Sequence, residues 1–309
     1  MLLKVSTPSP ETADAAARRR ARWPRGRKVL VVMLAVIGVA TLAYPTVASM
    51  WNAHREAGAV EGYAETIAHM PEVDRAAELE RAREYNADLE LTQLEDPFAS
   101  AAPVDAELQE DMAEYRSLLA TDQTMARLRI PAIEVDLPIF HGTGEDSLQR
   151  GVGHLFGTHL PVGGEGNRTV LSGHRGLPDA QLFTRLDAIG VGDQMLIDVL
   201  GETLTYEVDD VRVVEPTDGS VIVPQEGQDL LTLITCTPIG INSHRLAVTG
   251  HRVPTPEDVA PAAESTVALT SQAVASLPWW GVLTVVILWG GLIFYVRWRR
   301  RCDDEADAA

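Results

Sequence analysis

The chain has 309 residues and a formal net charge of −18, enough for one sizeable domain with additional segments. The charge is unevenly spread: residues 1–28 carry +6, residues 52–278 carry −24, and residues 297–309 carry zero. So acidic a middle region argues against nucleic-acid binding and suits a solvated surface. Its single cysteine, Cys236, rules out a disulfide within it.

In chain order, residues 1–28 read as a cytoplasmic leader, rich in Ala, Arg and Pro without an apolar period. Residues 29–51 are uncharged and apolar, and their length matches the ~17–25 residues that cross a bilayer. The basic flank Arg18, Arg19, Arg20, Arg22, Arg25, Arg27 and Lys28 predicts a cytoplasmic N-terminus, and Trp51 marks an interface. A cleaved signal peptide is the alternative, but its apolar region runs only ~7–15 residues. Residues 52–123 form an extracellular, helix-prone region. Within it, Asn52–Met70 ends before Pro71, and Glu72–Leu91 puts Val73, Ala76, Leu79, Ala82 and Leu89 near one helical face. Residues 94–103 hold two prolines and read as an irregular exposed segment. Ala106–Ala120 is a further short helix.

The texture changes at Thr124. Short apolar runs alternate with Gly, Pro, Asn and Asp: Ala126–Ile130, Val135–Phe140, Arg168–Ser172, Gln194–Val199, Thr203–Val208, Val211–Val214, Leu230–Thr235 and Leu246–Val253. This pattern predicts a mainly β domain over 124–254, a barrel or sandwich, with a short helix at Gln181–Leu186. Residues 255–278 read as a linker. Residues 279–296 are a second uncharged span, followed by Arg297, Arg299, Arg300 and Arg301 in a cytoplasmic tail, 297–309. A buried core helix is the alternative for that span. Two spans with basic outer flanks place both termini inside and residues 52–278 outside.

A thiol attacks as its thiolate, so a nucleophilic cysteine needs a base or a cation nearby. Cys236 ends the apolar run Leu230–Thr235. Arg245 follows a turn-rich loop containing Pro238, Gly240 and Asn242 and starts the next strand, so the two can share one mouth. A guanidinium there can hold a carbonyl or an oxyanion. Among eight histidines, His174 is the best placed, at a strand end between Gly173 and Gly176; a structural role is the alternative. His54 and His69 lie in the membrane-proximal helical part. A zinc site built from His141, His154 and His159 lacks helical spacing and a completing cysteine or carboxylate, so no metal or other cofactor is expected.

Leu231-Thr-Leu-Ile-Thr-Cys236-Thr-Pro with Asn242-Ser-His-Arg245, and upstream the stretch Gly153–Asn167 with Leu171-Ser-Gly-His174-Arg-Gly, resembles the sortase family over about Met125–Arg252. The resemblance implies a closed β-barrel with short helices, preceded by an N-terminal helical and lid region and flanked by two transmembrane helices. It implies a membrane-bound cysteine transpeptidase of Gram-positive surfaces. Cys236 would be the nucleophile, His174 the general acid/base and Arg245 the carbonyl and oxyanion stabiliser. The substrate would be an LPxTG-like sorting signal on a pilin or surface-protein precursor, cleaved between Thr and Gly and passed to an acceptor amine.

The two-anchor layout and Asp96-Pro97-Phe98 resemble class C, the pilin-polymerising sortases. The resemblance implies a lid in which Asp96 pairs with Arg245 and Phe98 covers Cys236. Ile239 departs from the aromatic residue that class C chains often carry after Cys-Thr-Pro. An enzyme that anchors proteins to peptidoglycan is the alternative within the family, and a non-catalytic, membrane-tethered binding module is the alternative outside it. Residues 52–278 contain no lysine. That pattern fits either codon bias, since Lys4 and Lys28 are the only lysines in the chain, or avoidance of self-acylation by an enzyme with a lysine acceptor.

Overall fold

The computed structural model describes residues 25–89, 106–121 and 123–256. Asp96, Pro97 and Phe98, the second apolar span and both cytoplasmic tails lie outside these residues.

Helix α1 runs unbroken from Arg25 to His69, through the apolar span and into the acidic region. None of its most apolar stretch is covered by the rest of the described chain, whereas Val60, Tyr63 and Ile67 further along are buried. Met70 closes the helix by bonding back to Thr66 and Ile67 carbonyls, and Pro71 lets the chain turn into α2, Glu72–Asp88. The expected apolar face of α2 is only half right. Leu79 and Ala82 are buried, but Val73 and Ala76 face solvent and the third buried residue is Asn86. Its amide donates to the Leu160 carbonyl at 3.1 Å and accepts from the Leu160 N–H at 2.7 Å. A side-chain amide thus pairs with backbone as a neighbouring strand would, which a hydrophobicity pattern does not register. Helix α3, Ala106–Ser117, follows.

Eight strands close into a barrel: β1 (Ala126–Ile130), β2 (Val135–His141), β3 (Val152–His154), β4 (Arg168–Ser172), β5 (Gln194–Val199), β6 (Glu202–Val214), β7 (Leu230–Thr237) and β8 (His244–Val253). Their order around the barrel is β1-β2-β3-β4-β7-β8-β6-β5, with β5 returning to β1. The pairs β2–β3 and β4–β7 are parallel and the others antiparallel. A one-turn helix, α4 (Glu145–Leu148), leads into β3.

Two strand expectations change. Thr203–Val208 and Val211–Val214 are one strand, β6, whose register slips between Val208 and Asp210 at a bulge; Asp209 and Asp210 at the irregularity break the apolar pattern. Strand β3 has three residues, one a glycine, too few to leave an alternating pattern in the sequence. The expected helix over Gln181–Leu186 is instead a series of turns ending in a short 3-10 turn, Leu186–Ala188.

Side chains alternate across each strand. Leu171, Leu231, Leu233 and Val248 point into the main core with Leu128, Ile139 and Ile197. Val170, Ile234 and Ala247 point outward and join Leu155, Val214, Val221 and Ile222 in a second cluster on the barrel's outer face.

Candidate active site

That outer face carries the candidate residues. Ser172 pairs with Ile234 in the parallel β4–β7 ladder, and Ile234 pairs with Ala247 in β8. One step further along, Cys236 pairs with Arg245. Two residues past Ser172 is His174, so the same register sets it beside Cys236. Cys236 and Arg245 therefore share a level on adjacent strands, and His174, just past the end of β4, continues that level. By alternation they project on the same side as Val170, Ile234 and Ala247, so the second apolar cluster forms the floor beneath them.

His174 lies beyond the last rung of the β4 ladder, and specific bonds hold it there. The Gly173 N–H donates to the Ile234 carbonyl at 3.2 Å, and Thr235 Oγ1 donates to the Gly173 carbonyl at 2.7 Å. Arg175 donates from Nη1 to Thr237 Oγ1 at 3.0 Å and pairs through Nη2 with Asp187 at 2.7 Å. Arg175 thus ties the residue after His174 to the residue after Cys236. Gly173 is required by packing: a Cβ there would lie 2.7 Å from the buried Phe183 ring. The sequence reading missed Thr235 and Arg175. Their one signal was position, since each is next to a proposed catalytic residue in the chain.

Cys236 is half-buried. Arg245 is largely buried, and its Nη1 donates to the carbonyls of Asn242 and His244, both at 3.2 Å. The loop between them is folded by Ile241 and Asn242 N–H bonds to the Pro238 carbonyl, after a cis Thr237–Pro238 bond. Ile239 packs on Gly176, whose φ of +74° and lack of a side chain leave it room. The residue that departs from the expected aromatic therefore packs against the loop that follows His174. On the other side, Glu145 Oε2 of α4 stands 3.5 Å from His174 Nε2. A cation facing a thiol and an imidazole beside it is the arrangement that favours a thiolate and can move a proton.

The other histidines do different work. His154 is fully buried: its Nε2 donates to the His159 carbonyl at 2.9 Å, leaving Nδ1 to accept from the Tyr115 hydroxyl at 3.0 Å. Tyr115 Oη also accepts the Gly142 N–H. Burial pulls the His154 imidazole down to about 3. His141 Nε2 donates to the Leu118 carbonyl and His159 Nδ1 accepts the Arg168 N–H, and burial lowers both rings. Among the described residues, no group of three or more His, Cys, Asp or Glu side chains could hold a metal ion.

Residues 128–253 match the model of the Sortase domain. The chain is 35% identical to Sortase D of Bacillus subtilis over 136 residues, spanning 66% of that protein and 43% of its own length. It is 31% identical to Sortase A of Bacillus anthracis over 162 residues, 74% of that protein and 52% of this chain. Among solved structures it resembles sortase C-1 from Actinomyces oris, with 46% identity and a TM-score of 0.56, covering all of that chain and 60% of this one. It also resembles Sortase C1 of Streptococcus agalactiae, with 40% identity and a TM-score of 0.59, covering 97% of that chain and 65% of this one.

Proposed function

This chain belongs to the sortase family of cysteine transpeptidases, and we propose that it is a membrane-anchored class C enzyme that joins pilin subunits. The observation that carries the cysteine chemistry is the register that puts Cys236 opposite Arg245 with His174 just past the adjacent strand end; the class C part is supported by the 40–46% identity to solved sortase C structures. In the proposed reaction the Cys236 thiolate attacks the Thr carbonyl carbon of an LPxTG-like signal. Arg245 holds the oxyanion that forms, a role in which a single donor is worth roughly 10²–10³ in rate. As the C–N bond breaks, the His174 imidazolium gives its proton to the departing glycine amine. This leaves a thioester on Cys236 and a neutral imidazole. A lysine amine of the next pilin then attacks the thioester, His174 takes up the proton it sheds, and the thiolate leaves.

The anchor is residues 29–51 of α1, with residues 279–296 as a second span and both termini cytoplasmic. The apolar composition and uncovered surface of α1 support the first part, and the basic flanks of both spans support the orientation. Asp96, Pro97 and Phe98 form a lid over the groove, a reading that rests on the class C resemblance.

Mass spectrometry of the acyl-enzyme trapped in the native cell tests the function directly: a pilin-derived acyl group on Cys236 is expected. If Cys236→Ala still processes a sorting-signal peptide, the mechanism is wrong. For the lid, Asp96→Ala or Phe98→Ala should raise the rate of Cys236 alkylation, and an unchanged rate removes closure over the thiol.

A further inference from the structure

We infer that the Cys236 end of the barrel is the end that faces the lipid headgroups, held there by α1. This rests on the reading of residues 29–51 as a membrane span. The helix continues from that span into the barrel contact with no spacer. Trp51 is exposed at the edge of the apolar stretch, and the next residue, Asn52, donates from Nδ2 to the Asp179 carbonyl at 2.9 Å. Asp179 belongs to the loop that leaves His174 and returns to it through the Phe183 N–H bond to the His174 carbonyl.

A helix rises about 1.5 Å per residue, and each headgroup layer is about 5–8 Å thick. Asn52 therefore lies within the headgroup layer when the span ends at Trp51, and the His174 loop touches it there. Further along α1, Tyr63 accepts the Leu200 N–H, at the β5–β6 turn. The helix thus meets the His174 loop first and the β5–β6 turn only after about 16 Å of further rise.

The surface at this end agrees with that placement. Ile239 packs on Gly176 of the His174 loop, and Ile241, two residues on, is 72% exposed. Val213, paired with Leu246 beside Arg245, is exposed as well. Charge does not supply the attraction, because residues 52–278 carry −24 and Asp179, Asp187 and Glu145 lie around the His174 loop and its neighbour α4. An acidic domain is not drawn to an anionic leaflet. The continuous helix sets the orientation, and the exposed isoleucines are the side chains suited to meet the lipid.

The test uses the full chain with both of its cysteines replaced, Cys236→Ser and, in the tail 297–309, Cys302→Ser, reconstituted in phosphatidylcholine vesicles doped with headgroup-spin-labelled lipid. A fluorophore is placed on Ile241→Cys in one sample and on Gln228→Cys in another. Gln228 precedes β7, so it lies at the opposite end of that strand from Cys236. The expected result is that both proteins float with the vesicles and that the Ile241 label is quenched several-fold more than the Gln228 label. Flotation with equal quenching, or with stronger quenching at Gln228, overturns the orientation while leaving the anchor intact. Failure to float overturns the anchor, and the orientation with it.

Discussion

His154 and His174 sit in similar sequence, each beside glycine at the end of a short strand, yet the fold gives them opposite tasks. His154 lies under α3, fully buried, with both ring nitrogens bonded inside the protein and its imidazole held neutral down to about pH 3. His174 stands past the end of β4, partly open to solvent and level with Cys236. The difference shows what makes a histidine available for chemistry. A fully bonded, desolvated ring joins elements, whereas a partly exposed ring past a strand end is placed for the proton exchange with substrate proposed for His174.

Replacing each ring breaks this comparison most sharply. His174→Ala is expected to lower transpeptidation roughly 10²–10⁴-fold with little change in Tm. His154→Ala should lower Tm by roughly 10 °C, corresponding to about 3 kcal/mol for a cavity and the lost ring bond to the buried His159 carbonyl. Protein that remains folded should retain turnover. Peptide-cleavage kinetics and thermal unfolding on both variants test this, and a His154→Ala protein that is folded but inactive would erase the distinction.

Next in size is Arg245. Arg245→Ala should cost about 10² in kcat with a smaller change in KM, because the charge is needed most when the oxyanion forms. Arg245→Lys should recover only part of the loss, since an ammonium lacks the planar fork.

Arg175 tests how His174 is held. Arg175→Ala should lower kcat roughly tenfold by letting the His174 and Cys236 strand ends drift apart. It should also shift the pH–rate profile, with Arg175→Lys intermediate. A change in Tm alone would make Arg175 merely structural.

Acid sensitivity probes the His154 side of the comparison through stability alone. The His154 proton affinity is depressed in the folded state, so the unfolded chain takes up the proton first. The stabilisation from keeping this ring neutral is complete above about pH 6.5 and is lost as pH falls towards about 3. His154→Gln removes that contribution, so the Tm gap between wild type and variant should narrow across this range. A constant gap would mean that the ring does not titrate with unfolding.

The sequence by itself determined the apolar span, the helix-prone region after it and most of the strands, because these follow from periodicity along the chain. Ala126–Ile130, Arg168–Ser172 and Gln194–Val199 match the observed strands residue for residue. It also singled out Cys236, Arg245 and His174, because turn residues and small neighbours mark strand ends. Only the tertiary structure decided that the three share a level. That depends on a parallel register between β4 and β7, which lie far apart in sequence, and on Thr235 and Arg175 carrying the register past the ladder's end. The packing of α2 through Asn86 and the burial of His154 were likewise decided by contacts between distant segments. A polar side chain leaves no apolar period to read, and whether it is bonded and buried depends on a partner that the local sequence does not contain.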